Sequence, residues 1–346
     1  MMEIIQERLK EACALGKPLV IRAGGSKDWY GEATSGEVLD VSANRGIVSY
    51  EPGELVLTAK CGTPLAEIEA LLGQNGQMLG FEPPRFTESA TLGGTLACGL
   101  SGPRRPYAGS ARDFVLGMEI LDGNGQHLRF GGQVMKNVAG YDVSRLMVGA
   151  LGTLGVLLQA SLKVLPRPQA ELTLQFECDE AEAIRRTNEW AGKPLPLSAT
   201  AWLSGVLSVR LSGARSSVAA AHRKLGGEET AHGAEFWAGL RDHRAAFFHD
   251  DAPLWRLSLP ATAAPLDLPG RQLIAWGGAE RWFKSDASAA EIRARAAAHG
   301  GHATLYAGDK ASGVFHPLPQ ALLKYQQRLK RQFDPRGILN PGRMYP

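Results

Sequence analysis

The sequence is poor in the features that mark most specialised protein classes. Its 346 residues include four cysteines, Cys13, Cys61, Cys98 and Cys178, and no two of them form a Cys-x-x-Cys pair. That dispersion excludes a disulfide scaffold, makes a thiol-ligated metal or an iron–sulfur centre on this chain unexpected, and suits a reducing compartment. An excess of one charge is missing as well. There are 38 basic and 35 acidic side chains, a balance of +3, and no Lys/Arg run exceeds Arg104-Arg105. A nucleic-acid partner is therefore not expected. Long apolar runs are absent too. The longest uncharged stretch, Leu146 to Leu162, is 17 residues and contains Gly149, Gly152 and Gly155. It is too short and too turn-rich for a membrane span and reads as a buried strand–turn–strand. The opening residues Met1 to Arg8 place charges where an export signal needs its apolar core, so a cytoplasmic protein is expected. No GxSxG elbow points to hydrolysis, and no GxGxxG or GxxxxGK[ST] in a strand-to-helix context points to a nicotinamide or P-loop site.

What is present begins with a normal core-forming share of apolar residues, 44%, and an uneven spread of glycine. Of 41 glycines, 25 precede residue 169, whereas six of seven tryptophans follow it, a change of texture at Leu165-Pro166-Arg167-Pro168 that marks a domain crossing. The first part reads as short strands between glycine turns. Ile4, Ile5, Leu9, Ala12 and Cys13 predict an opening helix stopped by Gly16, and strands are expected over 18–23 and 54–60. Thr63-Pro64 is expected to cap a helix carrying Leu65, Ile68, Leu71 and Leu72. Asp122-Gly123-Asn124-Gly125 predicts a hairpin between strands 114–121 and 127–131. The second part predicts strands at 171–177, 199–204, 206–212, 254–259 and 272–276, with helices at 179–191, 215–225, 235–247 and 286–299. That order suggests an α+β sheet covered on one side. A last helix is expected at 319–333.

The chemistry lies in the glycine clusters. In Ile21-Arg22-Ala23-Gly24-Gly25-Ser26-Lys27 a strand runs into residues with little side chain, so successive backbone N–H groups can converge on an anion such as a pyrophosphate. Alone, a strand followed by Gly-Gly is more often a plain turn. Thr91 to Gly102 holds four glycines and three hydroxyls, which suits close backbone approach to an extended ligand, while Leu92, Leu96 and Leu100 argue against a loose surface loop. A third cluster spans Gly131-Gly132, Lys136 to Asp142, and Gly149 to Gly155. There a lysine and an asparagine beside a tyrosine suit a ring that gains negative charge on reduction.

Seven stretches in order, RAGGSK, EPP, TLGGTLACGLSG, GSARDFVLG, VMKNVAGYD, GALGTLGV and a terminal FDPRGILNPG, resemble the vanillyl-alcohol-oxidase/PCMH-type FAD-binding family. Within it, SGPRRP and PGRQLIAWGGAERW look most similar to the FAD-binding subunits of bacterial glycolate oxidases. The resemblance implies an α+β fold: a two-lobed PCMH-type FAD-binding domain over residues 1–168, completed by 330–346, and an α+β cap or partner domain over 169–329. It implies that Arg22, Ala23, Gly24, Gly25 and Ser26 hold the pyrophosphate, and that Pro84, Thr91, Gly93, Gly94, Gly99 and Ser101 line the diphosphate and ribityl channel. Arg112 and Asp113 would brace that wall, and Val156 would lie near the adenine end. Lys136, Asn137 and Tyr141 would stand near the isoalloxazine, with Asn340 at its other edge. A cation or amide there stabilises the anionic reduced ring.

Family members that attach flavin covalently do so through a histidine, some adding a cysteine. Ser26 and Lys27 stand in the corresponding loop, so FAD is expected to be non-covalent. Related 2-hydroxy-acid dehydrogenases carry paired histidines that supply a base and metal ligands. Here Gly301 to Lys310 keeps His302, the catalytic candidate, without the second histidine, so no metal is expected. The resemblance implies a flavin-dependent oxidoreductase subunit that takes part in oxidising a small 2-hydroxy acid, glycolate, to glyoxylate. Its partners would be a second flavin subunit and an iron–sulfur subunit, with electrons passing towards the quinone pool. Membrane association would then be peripheral, through the complex, at the cytoplasmic face of the inner membrane. Two other readings stay open: a self-sufficient 2-hydroxy-acid dehydrogenase, and an assembly subunit, with or without FAD, that has no turnover of its own.

Overall fold

The computed structural model describes residues 1–132 and 142–345. The chain forms two compact units, one of Met1–Ser101, Gly109–Arg167 and the C-terminal stretch from Pro317, the other of Gly102–Ala108 and Pro168–His316. Both mix helix and sheet.

The first unit is organised by a five-stranded antiparallel sheet in the order Ile47–Glu51, Val56–Lys60, Val156–Lys163, Val115–Leu121, His127–Gly131. Its last two strands are the expected hairpin. Asp122 Oδ1 accepts from the amides of Asn124 (2.9 Å) and Gln126 (2.7 Å), and Gly125 takes the left-handed conformation that closes the turn. Beside this sheet lies a short parallel pair, Leu19–Arg22 with Glu37–Asp40. The helix Met2–Leu15 buries Ile5, Leu9 and Ala12, one stripe at helical spacing, in a core with Leu19, Leu39, Val41, Leu121, Val156, Ile338 and Leu339. The last two come from the chain's far end. Leu339 bridges Leu19 in parallel, so the C-terminal stretch continues the small pair.

Two expectations for this unit differ from the structure, at Thr63 and at 146–162, and one stretch left without an assigned element proves helical. Thr63 does not cap the helix Leu65–Gln74; its buried hydroxyl instead accepts from Gly46 N at 2.8 Å and anchors that turn. The stretch after Thr91 is a helix, Leu92–Cys98, because Leu92 and Leu96 bury one face and Thr91 Oγ1 caps Gly94 N at 3.3 Å. The run 146–162 is not a strand–turn–strand. The end of the helix Val143–Met147 and a glycine-rich turn precede the single strand Val156–Lys163.

The second unit is an eight-stranded antiparallel sheet in the order Glu228–Glu229, Ala170–Glu177, Val206–Gly213, Leu197–Leu203, Arg271–Ala275, Glu280–Lys284, Leu254–Ser258, His302–Ala307. Helices Glu180–Ala191 and Arg215–Leu225 pack one half, burying Trp190 and Val218 with Leu174 and Val209. Helix Ala289–Ala298 packs the other, burying Ile292 and Ala296 with Trp255, Leu257 and Phe283. The helix expected over 235–247 is shorter, Gly233–Arg241, since His243 takes φ +53 and turns the chain. Gly102–Ala108 joins this unit through Trp276 Nε1, which donates to Gly102 O at 3.1 Å, and through an Arg104–Glu171 ion pair of 2.8 Å.

Candidate cofactor site

The first unit contains a cavity of about 300 Å³ whose lining includes Gly24, Gly25, Gly93, Gly94, Gly152 and Gly155. Its floor is the end of the strand Leu19–Arg22 and the loop that follows. Gly24 has no room for a side chain, because a Cβ there would stand 1.6 Å from Ser89 O. Ser89 Oγ holds the same glycine by donating to Gly24 O at 2.6 Å. Gly25 takes φ +69, which turns the loop back on itself. Trp29 Nε1 donates to Ser26 O at 3.2 Å, and Arg343 donates to the carbonyls of Lys27 (3.3 Å) and Asp28 (2.8 Å). The carbonyls of Gly24, Gly25, Ser26, Lys27 and Asp28 are thus engaged. Among the described residues, the backbone N–H groups of Ala23, Gly24, Gly25 and Ser26 donate to no protein acceptor. Four consecutive donors facing a cavity are an anion cradle.

The facing wall comes from the helix Leu92–Cys98. Gly93 lies so close to Cys61 that a Cβ would meet Cys61 Cβ at 2.8 Å, and Gly93 N donates to Cys61 O at 2.7 Å. Asn340 closes one end. It is buried, with Oδ1 accepting from Ile21 N at 2.8 Å and Nδ2 donating to Leu151 O at 2.7 Å, so one amide ties together three stretches of the wall. Behind it, Lys330 Nζ donates to Asp334, Thr153 O and Leu339 O at 2.6–2.7 Å, and Asp334 accepts from Ile338 N and Leu339 N. That buried clip fixes the segment carrying Asn340.

The cavity is electropositive. Arg22, Lys27 and Arg343 line it against a single acid, Asp28, which pairs with Arg22 at 2.7 Å. Its two cysteines are not nucleophiles at neutral pH. Burial pushes the Cys61 thiol far up, and burial pushes Cys98 up to about 11 despite Lys27 and Arg343 pulling it down.

Of the site residues expected from sequence, Arg22, Ala23, Gly24, Gly25, Ser26, Thr91, Gly93, Gly94 and Asn340 meet around this cavity. Others stand off it. Pro84 is buried outside the lining. Gly99 ends its helix at φ +64, where a Cβ would press on Gly149 Cα at 3.0 Å. Ser101 Oγ accepts from Ala111 N at 3.0 Å, and Arg112 and Asp113 sit on the short helix Ala111–Phe114, with Asp113 capping Ser110. Hydrogen bonds from Ser110, with the charges of Arg145 and Arg112, hold Asp113 below its ordinary range against the opposing effect of burial. Val156 points into the core with Ile5 and Leu9, while Gly155 and Leu157 on either side of it line the cavity. Lys136, Asn137 and Tyr141 lie outside the described residues. His302 is in the second unit, on the edge strand His302–Ala307, opposite Ser258. Partial burial, with the charges of Arg256 and His316, lowers its pKa and keeps it neutral at pH 7. No group of three or more potential metal ligands occurs among the described residues. Sequence reasoning passed over Lys27, Arg343 and Gly152 as lining residues. Their signal was adjacency: Lys27 follows the glycine loop, Arg343 ends the Asn-Pro-Gly-Arg tail, and Gly152 sits where a Cβ would strike Asn340 Nδ2 at 2.7 Å.

A family described as FAD binding domain matches residues 2–131. The glycolate oxidase subunit GlcE of Escherichia coli (strain K12) is 53% identical over 344 residues, 99% of this chain and 97% of that protein. The glycolate oxidase subunit GlcD of Bacillus subtilis (strain 168) is 31% identical over 173 residues, 49% of this chain and 36% of that protein. Among solved structures, an alkyldihydroxyacetonephosphate synthase shares the fold with a TM-score of 0.67 at 16% identity, covering 98% of this chain and 75% of that one. At this identity and near-complete mutual coverage, the chain belongs to the family of the glycolate oxidase subunit GlcE, built on an FAD binding domain.

Proposed function

We propose that this chain is the FAD-binding subunit of a multi-subunit glycolate oxidase, holding its flavin non-covalently in the cavity of the first unit. The observation that carries the reading is the row of unengaged amides from Ala23 to Ser26 beside a glycine-rich, electropositive cavity. In this reading the loop Arg22–Ser26 holds the diphosphate, Thr91, Gly93 and Gly94 form the wall along the ribityl chain, and Asn340 keeps the end of the cavity in register. FAD supplies, when bound, a carrier that takes up two electrons and can release them one at a time. The second unit serves as cap and partner surface. Lys136, Asn137 and Tyr141 are the proposed neighbours of the flavin ring.

Two features support a relay within a complex over turnover by this chain alone. The thiols of Cys13, Cys61, Cys98 and Cys178 are free and dispersed, so iron–sulfur chemistry falls to a partner subunit. Only one histidine, His302, stands in the stretch where a paired set is expected. Neutral at pH 7, His302 is the candidate base should this flavin accept hydride directly. No helix among the described residues is long and apolar enough to cross a membrane, and in this reading contact with the quinone pool, at the cytoplasmic face of the inner membrane, is made through the complex.

The test is a visible spectrum of the purified chain, before and after anaerobic glycolate. Flavin bands that stay oxidised until partner subunits are added are expected. Bleaching by glycolate alone would make this chain the catalytic subunit, and His302→Gln should then slow the bleaching. No flavin bands after addition of FAD would leave the assembly role.

A further inference from the structure

We infer that the helix Gln320–Phe333 and the groove beside it are the surface of the first unit on which an acidic segment of a partner subunit docks. The inference rests on the multi-subunit reading above and adds a second docking face to the one proposed for the second unit. The helix is 14 residues long and buries none of them, whereas every other described helix of nine residues or more buries at least two. A helix of that length is marginal in water on its own, and protein helices draw their stability from an apolar face packed on something. Leu322, Tyr325, Leu329 and Phe333, spaced three and four apart, form such a face. Its C-terminal half is packed: Phe333 meets Phe130 edge-on with ring centres 6.5 Å apart, and Leu329 lines a groove. Its N-terminal half is not, since Leu322 is 52% exposed and Tyr325 66%.

The groove, of about 600 Å³, is lined by Leu146, Val148, Leu154, Leu323, Leu329 and Met344. Leu146 is itself exposed, so the apolar surface continues past the helix. The charge on this stretch is of one sign. From Gln320 to Pro346 there are six basic side chains and one acid, Asp334, which is buried and held by Lys330. Lys324, Arg328, Arg331 and Arg336 are exposed, and none makes an ion pair with a described residue. The whole chain carries only +3, so this basic patch is local. It fits a partner segment that brings carboxylates and an apolar anchor: the anchor enters the groove, and the carboxylates meet the cations. A bilayer shares the negative charge but presents no side chain to enter a groove, which makes a protein the better match.

The test co-expresses the full-length chain with the iron–sulfur subunit and a tagged second flavin subunit of a glycolate oxidase, and measures how much of the chain the tag retains. The wild type should be retained in fixed proportion and released as salt is raised from about 0.1 M to about 1 M. Leu322→Asp, Tyr325→Asp and Arg328→Glu should each lower retention about tenfold or more. Flavin content and melting temperature of the separated variants should match the wild type. Val48→Asp, at a comparably exposed apolar position on the strand Ile47–Glu51, should leave retention unchanged. Full retention of all three helix variants would overturn the inference, and so would an equal loss from Val48→Asp. Two other results would overturn it by giving the face a different occupant. One is flotation of the wild type, but not of Tyr325→Asp, with vesicles of phosphatidylglycerol and phosphatidylcholine, which would assign the face to lipid. The other is a dimer of the isolated chain that Leu322→Asp splits, which would assign it to a second copy. A flavin-loaded wild-type chain that neither partner subunit retains would overturn the multi-subunit reading, and the inference with it.

Discussion

Gly24 shows how little freedom a glycine-rich site leaves at a single position. The nearest atom to a Cβ there would be Ser89 O at 1.6 Å, a carbonyl that cannot swing aside as a side chain would. Gly24→Ala must therefore move either the loop or the segment around Ser89, and both carry the cavity wall. The expected outcome is a chain that folds, since the core lies elsewhere, but retains less than a tenth of the wild-type flavin. Absorbance at the flavin bands relative to the protein band checks this, and wild-type flavin content in the variant would refute the tight packing. At this scale the sequence was informative where glycine clusters and uninformative where contacts are long-range. Asn340 was legible as a site residue, but its bonds to Ile21 and Leu151 join parts of the chain more than 180 residues apart. No local pattern encodes that. Val156 shows the opposite case: the motif runs through it, while strand alternation turns its side chain into the core.

Elements with a clean period were readable, and those carrying buried charge were not. The helix Met2–Leu15 and the hairpin at Asp122–Gly125 have the expected stripe and turn residues. The strand Glu280–Lys284 escaped notice because three of its five residues are charged, yet all five are buried. Arg281 is fully buried, with Nε donating to Gly278 O at 2.8 Å and Nη2 to Ala263 O at 2.6 Å, so neighbouring loops satisfy what the sequence advertises as polar. A related case gives a pH prediction. His243 ends the helix Gly233–Arg241, stacked on Phe248 with ring centres 4.1 Å apart and edge-on to Trp282. Burial, reinforced by Arg256, pulls its pKa down to about 3 from the ordinary 6.5. The unfolded chain therefore binds a proton that the folded chain refuses between those values. Stability from this group is present above pH 6.5 and is lost as pH falls towards 3, at about 1.4 kcal/mol per pH unit. Denaturant titrations at stepped pH should show that slope, and His243→Phe should remove one proton's worth of it. An unchanged slope would mean that the ring is already charged in the folded state.

For the whole molecule, the order of the motifs carried more information than any one of them. Each glycine loop alone admits a plain-turn reading, but seven in sequence specify a fold class that 53% identity over 99% of the chain to a glycolate oxidase subunit bears out. The same whole-molecule view bears on how the cofactor is held. A covalent link needs a nucleophile facing the cavity. The loop from Arg22 to Asp28 contains no histidine, and the two thiols in the lining, Cys61 and Cys98, are held protonated by burial. On the non-covalent reading proposed above, affinity comes from reversible contacts, and reversible binding to the folded state is linked to folding. Saturating FAD should raise the melting temperature progressively with concentration, reaching about 2.7 kcal/mol of stabilisation at a hundred times the dissociation constant. Acid precipitation of the loaded chain should leave all the yellow colour in the supernatant. Colour in the pellet, or a melting temperature indifferent to added FAD in flavin-free protein, would show that the cavity holds its ligand by some other means.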